Sequence, residues 1–365
     1  MKVKRILHIT GVRELGSGQR SQLKYESNAA KNIKDIEWDT IAYHSGEIKE
    51  EFEKKTPFFL DFMLLRNLYF WIMVLKYSKQ YDIVLFRHLT FDPFTLFFSP
   101  FIKNRIGVHH SKEIEELKLI REGFKGKAVS CMEKITGKIS VKNSLCIAGV
   151  TQEIAMYENT ERGLNKEITV YPNGIEVNKI KIANDFREDN NINILFICSH
   201  FAAWHGLDIL LDEIDLSRIE KNYFIHLVGK LSEDQKLKIS SLRNKERIIV
   251  HGEMKFSDYF HIASKCDVAL GSLAMYRQNL HEGSTLKVRE MLAMGLPVYS
   301  GHKDAAFTKE FKYYYYSDKF DLNNLLKFCE LNKNTRRNDV KNAASEFIEK
   351  KAIMENFIQQ INCLK

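Results

Sequence analysis

Short apolar runs alternating with helical patterns organise this sequence, and the alternation begins twice. The first series opens with a strand-like run at Arg5 to Thr10, a loop holding Gly11, Gly16 and Gly18, and a helical stretch. DIVLFR (82–87), RIGVHH (105–110) and LCIAGV (145–150) follow, with helical patterns such as 112–121 between them. ITVYPNGIE (168–176) ends that series, and a polar stretch, 179–193, comes next. The second series runs through INILFICS (192–199), YFIHLVG (223–229), RIIVHG (247–252), CDVALGS (266–272) and LPVYSG (296–301). Strands separated by helices call for parallel pairing, because a parallel return needs a crossover long enough to hold a helix. The pattern predicts an α/β chain of two Rossmann-like domains with parallel sheets.

The expected bounds are 1–172 for the first domain and 173–340 for the second. A closing helical pattern, 341–365, is expected to cross back onto the first domain. A chain of 365 residues exceeds what one core usually serves, which agrees with two domains. Ligands of open α/β sheets bind outside the carboxyl ends of the strands, so two sheets facing a central cleft would share one site.

Composition narrows the partners. The net charge of +8 favours anions such as nucleotide phosphates or lipid headgroups. Lys and Arg are spread evenly, and no helix-turn-helix, zinc-finger or RNA-binding signature is present, so nucleic acid is not expected. Six cysteines lie far apart with no C-x-x-C pair, which suits neither a zinc site nor a disulfide framework; Cys198 and Cys266 read as buried thiols in a reducing cytoplasm. The N-terminus lacks the apolar core and cleavage site of a signal peptide. The most apolar segment, Phe58 to Leu75, is interrupted by Asp61, Arg66 and Asn67. It therefore reads as a buried amphipathic helix, or as a helix lying in an anionic membrane interface, and not as a spanning one. The Tyr313 to Tyr316 run reads as a strand buried on both faces.

The chemistry concentrates in HEGSTLKVREMLAMGLPVYSG, 281–301. Glu282 and Glu290 bracket Gly283, Ser284 and Thr285. A helix starting near Ser284 or Thr285 would offer free backbone N–H groups to a phosphate. Two carboxylates beside that phosphate would accept hydrogen bonds from sugar and ribose hydroxyls. No D-x-D between apolar strands and no ligand-spaced His/Cys/Asp cluster appears, so no metal is expected.

This segment resembles the Glu-x7-Glu region of glycosyltransferase family 4 (group 1), retaining enzymes of the GT-B fold. YPNGIE (171–176) resembles the turn with which those enzymes enter their C-terminal domain, and WHGLDILL (204–211) their Lys-Gly-Leu-Asp helix start. The Trp-His-Gly form, holding Trp204 and His205, is similar to relatives that build bacterial surface polysaccharide (capsule, O-antigen or exopolysaccharide). The resemblance implies a transferase that moves a sugar from a nucleoside diphosphate sugar, UDP- or GDP-linked, to an acceptor hydroxyl with retention. It implies no cofactor beyond that co-substrate. Glu282 would contact the donor sugar and Glu290 the ribose. Gly283, Ser284, Thr285 and Leu286 would offer amides to the diphosphate. Gly16 and Gly18 would let the first loop approach a ligand, and His109 or His110, with His109 preferred, would stand near the reacting centre. Where many members carry an Arg and a Lys against the diphosphate, this chain has Ser199 and His205. Either His205 is protonated there or Lys287, Arg277 or Lys230 supplies the charge. A glycan or lipid-linked glycan is the expected acceptor, reached at the inner face of the plasma membrane by a cytoplasmic, peripheral protein. The rival readings are an epimerase or phosphorylase of the same frame, or a non-catalytic nucleotide-sugar-binding protein.

Overall fold

The computed structural model describes residues 3–120, 123–187, 191–307 and 310–364. The chain divides into two compact units, residues 1–176 with 350–365, and residues 177–349. The expected end of the 112–121 helix, Arg121, lies outside the described residues, as do 188–190 of the polar stretch.

In the first unit the strands are β1 (Arg5–Gly11), β2 (Glu37–His44), β3 (Glu53–Lys55), β4 (Ile83–Arg87), β5 (Arg105–His109), β6 (Ile147–Gly149) and β7 (Ile168–Val170). The helices are α1 (Ser17–Ala30), α2 (Met63–Tyr77), α3 (Thr95–Phe98), α4 (Glu113–Ile120), α5 (Gly123–Lys142) and α6 (Gln152–Glu161). The sheet order is β3-β2-β1-β4-β5-β6-β7, all parallel. Leu7, Ile9, Val84 and Phe86 of the sheet pack against Phe70, Trp71 and Val74 of α2.

In the second unit the strands are β8 (Ile192–His200), β9 (Tyr223–Lys230), β10 (Ile248–Gly252), β11 (Val268–Leu270), β12 (Glu282–Gly283), β13 (Val298–Ser300), β14 (Lys303–Asp304) and β15 (Tyr314–Tyr316). The helices are α7 (Leu207–Leu216), α8 (Glu233–Ser241), α9 (Phe256–Lys265), α10 (Leu286–Ala293), α11 (Leu322–Asn332) and α12 (Arg337–Ile348). The main sheet runs β10-β9-β8-β11-β13-β15, again parallel, and β12 pairs with β14 beside it. Strand order reverses at β8, which places the topological switch point at its carboxyl end. The sequence-predicted α/β class with two parallel-sheet units is the observed one.

Three local expectations need correction. The closing stretch is two helices, because an extended residue, Glu349, separates α12 from α13 (Lys350–Asn362). Only α13 belongs with the first unit. There the Lys350 ammonium lies 3.4 Å from Glu26 Oε2, both groups fully buried, and 4.1 Å over the Tyr171 ring. The 58–75 segment is not one buried helix either. Asp61, held by Ser45 Oγ at 2.6 Å and by Arg66, ends a short 3-10 turn at Phe58–Leu60 before α2 begins, and this leaves Phe58, Phe59 and Phe62 in solvent. Finally, the Tyr314–Tyr316 strand β15 lies at the sheet edge and is not covered on both faces, since Tyr315 is exposed and its neighbours are only partly buried. Cys198 and Cys266 are buried free thiols, as the sequence indicated.

Candidate functional site

At the carboxyl ends of β8 and β9 the second unit holds a cavity of about 380 Å³. Cys198, Ser199, His205, Gly229, Glu253, Met254, Tyr259, Lys287 and Glu290 are among its lining residues. Four residues singled out from sequence therefore meet here: Ser199, His205, Lys287 and Glu290.

Backbone geometry shapes this wall. Gly229 has φ +140°, and a Cβ on it would lie 1.8 Å from the Cys198 carbonyl, so only glycine lets β9 end against β8. His205 ends a 3-10 turn (Ala203–His205) that is tied to the loop after β11 by Leu273 N–H to His205 O and Ala274 N–H to Trp204 O. Gly206 then turns the chain into α7 with φ +74°, where a Cβ would meet Leu273 Cβ at 2.8 Å. That is the physical reason for the glycine in WHGLD.

Charge at the site comes from Lys287. His205 Nδ1 accepts the Ala202 N–H at 3.0 Å, which fixes the neutral ring as the Nε2–H tautomer. Burial, aided by Lys287 and His200, lowers its pKa to about 3. Both observations favour the neutral ring at this position. Arg277 is committed elsewhere: it donates to both Asp208 oxygens at 2.8 and 2.7 Å and to Ala203 O. Lys230 is exposed at the end of β9, outside the cavity lining. Lys287, in the first turn of α10, reaches Cys198 Sγ at 3.4 Å and stands 5.6 Å over the Phe196 ring. Both are weak partners, easily exchanged for a phosphate oxygen.

Glu290 stands one turn further along α10. Burial raises its carboxyl to about 7 against an opposing hydrogen bond from Tyr259. It is a hydroxyl acceptor poised near neutrality.

The loop between the two glutamates lies beside this cavity wall and is braced from below. Arg289, in α10, pairs with Asp304, both fully buried, at 2.6 Å through Nη2, and donates to Ser284 Oγ at 3.3 Å. Gly283 sits where a Cβ would meet His302 Cδ2 at 2.5 Å. Glu282 lies on β12 opposite Lys303, and neither it nor Gly283, Ser284, Thr285 or Leu286 belongs to the cavity lining. Thr285 is the N-cap of α10 without a side-chain cap bond, and Leu286 is its first residue.

In the first unit, Gly16 and Gly18 stand at the start of α1, and a Cβ on either would have no neighbour within 4 Å, so the space around them is clear. The two histidine candidates separate. His109 is fully buried, stacked on His88 with centroids 4.4 Å apart, and 3.0 Å from Glu113 Oε2. Burial first, then Arg162 against Glu158, lowers it to about 4. His110, next along the chain at the end of β5, is the more accessible of the two. His109, Glu113 and Glu158 lie within 4.8 Å of one another, a spacing a cation would fit. Arg162 pairs with one member of this group, donating to Glu158 at 2.7 Å, and with Glu133 at 2.8 Å. The His109–Glu113 and Glu158–Arg162 pairs are local, at i,i+4 spacing, whereas His88 and Glu133 join them from tens of residues away and carry no sequence signal.

Residues 191–307 match the family model described as glycosyl transferases group 1, a segment that contains every residue lining the cavity. No curated protein sequence matches the chain. Among solved structures, it is similar to the lipopolysaccharide outer core galactosyltransferase WaaB in its apo form, with TM-score 0.64 at 11% identity, over 97% of this chain and 99% of that one. HepE from Anabaena, solved with UDP and glucose, gives TM-score 0.60 at 14% identity over 99% and 100%. WaaG, a glycosyltransferase involved in lipopolysaccharide biosynthesis, gives 0.52 at 13% over 98% and 95%. Together with the two parallel sheets, these similarities show a GT-B fold, and the group 1 match falls within the second unit, on residues 191–307.

Proposed function

We propose that this chain transfers a glycosyl group from a nucleoside diphosphate sugar to an acceptor hydroxyl, with retention, in the synthesis of a bacterial surface polysaccharide. The observation that carries the reading is the cavity of the second unit, where the Lys287 ammonium and the Glu290 carboxyl converge at the carboxyl ends of parallel strands. Lys287 is assigned to the diphosphate and Glu290 to the ribose hydroxyls. His205 supplies a neutral Nε2–H donor, and Ser199 a hydroxyl. The amides of the first turn of α10, with Gly283, Ser284 and Thr285 before it, are assigned to the diphosphate or sugar, and Glu282 to the sugar hydroxyls.

Catalysis on this reading rests on charge. The bond from the anomeric carbon to the diphosphate breaks as negative charge grows on the leaving oxygens, and a fixed ammonium and fixed amide dipoles stabilise that charge without reorganising. No metal and no covalent carboxylate intermediate are assigned. In the first unit, the role near the reacting centre passes from His109 to His110, because His109 is committed to Glu113 within the core. Gly16 and Gly18 keep their proposed role as an open approach for a ligand. The acceptor is read as a glycan or lipid-linked glycan.

A thermal-shift panel of UDP-, GDP-, ADP- and CMP-sugars tests the reading, since a ligand bound only by the native state raises its melting temperature by mass action. UDP comes first because HepE is solved with it. One base should stand out, and turnover with that donor should give a product whose anomeric configuration matches the donor's by NMR. A flat panel, or an inverted product, would reject it.

A further inference from the structure

The first unit keeps an unusual number of large aromatic side chains in solvent, and they gather on adjoining elements. Phe58 is 94% exposed, Phe59 72% and Phe62 67%, all in the turn that leads into α2. Leu65 and Ile72 continue the outer face of α2 at helical spacing, while Phe70, Trp71 and Val74 fill the core on its inner face. Next to α2, α3 and the short turn after it leave Phe97 68% and Phe101 78% exposed. These elements are held together from inside, with Phe98 stacked on Trp71 at 6.0 Å. A run of exposed phenylalanines is costly to keep in water, and clusters of this kind mark a surface that is covered in use.

Charge identifies the cover. Lys54 shortly before Phe58, Lys76 and Lys79 at and just past the end of α2, and Lys103 two residues after Phe101 are exposed. Between 54 and 79 the sole acidic residue is Asp61, which is tied to Ser45 and Arg66, and between 96 and 103 there is none. A second copy of the chain is a poor fit, because a two-fold interface would set these lysines against themselves. Exposed aromatics flanked along the chain by ammonium groups match the boundary between acyl chains and anionic headgroups. No helix among the described residues is long and apolar enough to cross a membrane, so the contact would be peripheral.

We infer that the face of the first unit built from Phe58, Phe59, Phe62, Phe97 and Phe101 is a docking surface for a bilayer carrying anionic headgroups. The aromatics enter the headgroup region, and the lysines select the negative surface. This inference does not depend on the sugar-transfer reading, and its readout is binding alone.

Co-sedimentation with vesicles of phosphatidylcholine containing phosphatidylglycerol, and with vesicles of phosphatidylcholine alone, tests it. Wild type should bind the anionic vesicles at least about tenfold more tightly, and added salt should reduce the difference. The triple variant Phe58→Ser, Phe59→Ser, Phe62→Ser should lose at least about tenfold of that binding with an unchanged melting temperature, since the three rings lie outside the core. Phe186→Ser, at an exposed site in the second unit, should bind like wild type. Equal binding of wild type to both vesicles, or undiminished binding by the triple variant, would overturn the inference. So would a wild-type dimer in light scattering that the triple variant abolishes, which would make the face a contact between copies.

Discussion

The Lys287 ammonium lies 3.4 Å from the Cys198 thiol, bridging the first turn of α10 and the end of β8 across the cavity of the second unit. A thiol is a weak acceptor, so the ammonium gains by exchanging it for a phosphate oxygen. Lys287→Met should weaken nucleoside diphosphate binding by about 10- to 100-fold, the worth of one charge-assisted hydrogen bond. Calorimetry at two salt concentrations checks this. Wild-type affinity should fall with salt more steeply than that of the variant.

Glu290 gives the site a pH signature. Its carboxyl, pushed up to about 7 by burial, is protonated on the acid side and becomes a better hydroxyl acceptor as pH rises. Donor affinity should therefore increase between about pH 6 and pH 8. Glu290→Gln should bind more weakly and show a flat profile over the same window. A wild-type profile that is flat, or that falls, would remove Glu290 from the ribose.

The part of the cavity built by Lys287 and Glu290 was legible because it is local: both stand on the helix that follows the Gly-Ser-Thr loop, within 281–301. The turn of WHGLD likewise needs glycine for its left-handed backbone at Gly206. Tyr259, Gly229 and Met254 were not legible, because they reach the cavity from separate strands and helices. Ser199 and His205 suggested from sequence that another residue supplies the phosphate cation; the proposal of Lys287 over Arg277 and Lys230 rests on the Arg277–Asp208 pair and on the cavity lining, which the sequence does not display. The strand alternation gave both sheets. It gave neither the edge position of β15 nor the break at Asp61, since edge position depends on strand order and the break on a hydrogen bond from Ser45.

His109, the last residue of β5, and His110, which follows it, should part in function. His109→Ala removes a buried partner of Glu113 and should cost on the order of 2–3 kcal/mol of stability, seen as a lower urea midpoint. His110→Ala should leave the urea midpoint nearly unchanged and lower kcat, with donor affinity retained. The opposite pattern would restore His109 to the reaction.

Glu26 ties the chain end into the first unit. Burial alone would raise its carboxyl, but His8, Lys350 and the Tyr171 hydroxyl outweigh that and hold it at about 2. Its stabilisation is thus complete above the ordinary carboxylate pKa and is lost as pH falls toward 2. Lys350→Met should destabilise the first unit by about 3–5 kcal/mol, as expected when one partner of a buried pair is removed. Adding Glu26→Gln should recover part of the loss, measurable as a double-mutant cycle in urea.

Hydrogen–deuterium exchange with a saturating nucleoside diphosphate tests the central claim most directly. Protection should appear at residues 197–205, 228–229, 253–259 and 286–290, the segments that line the cavity. Binding without protection there, or protection confined to other segments such as 310–335, would contradict the account.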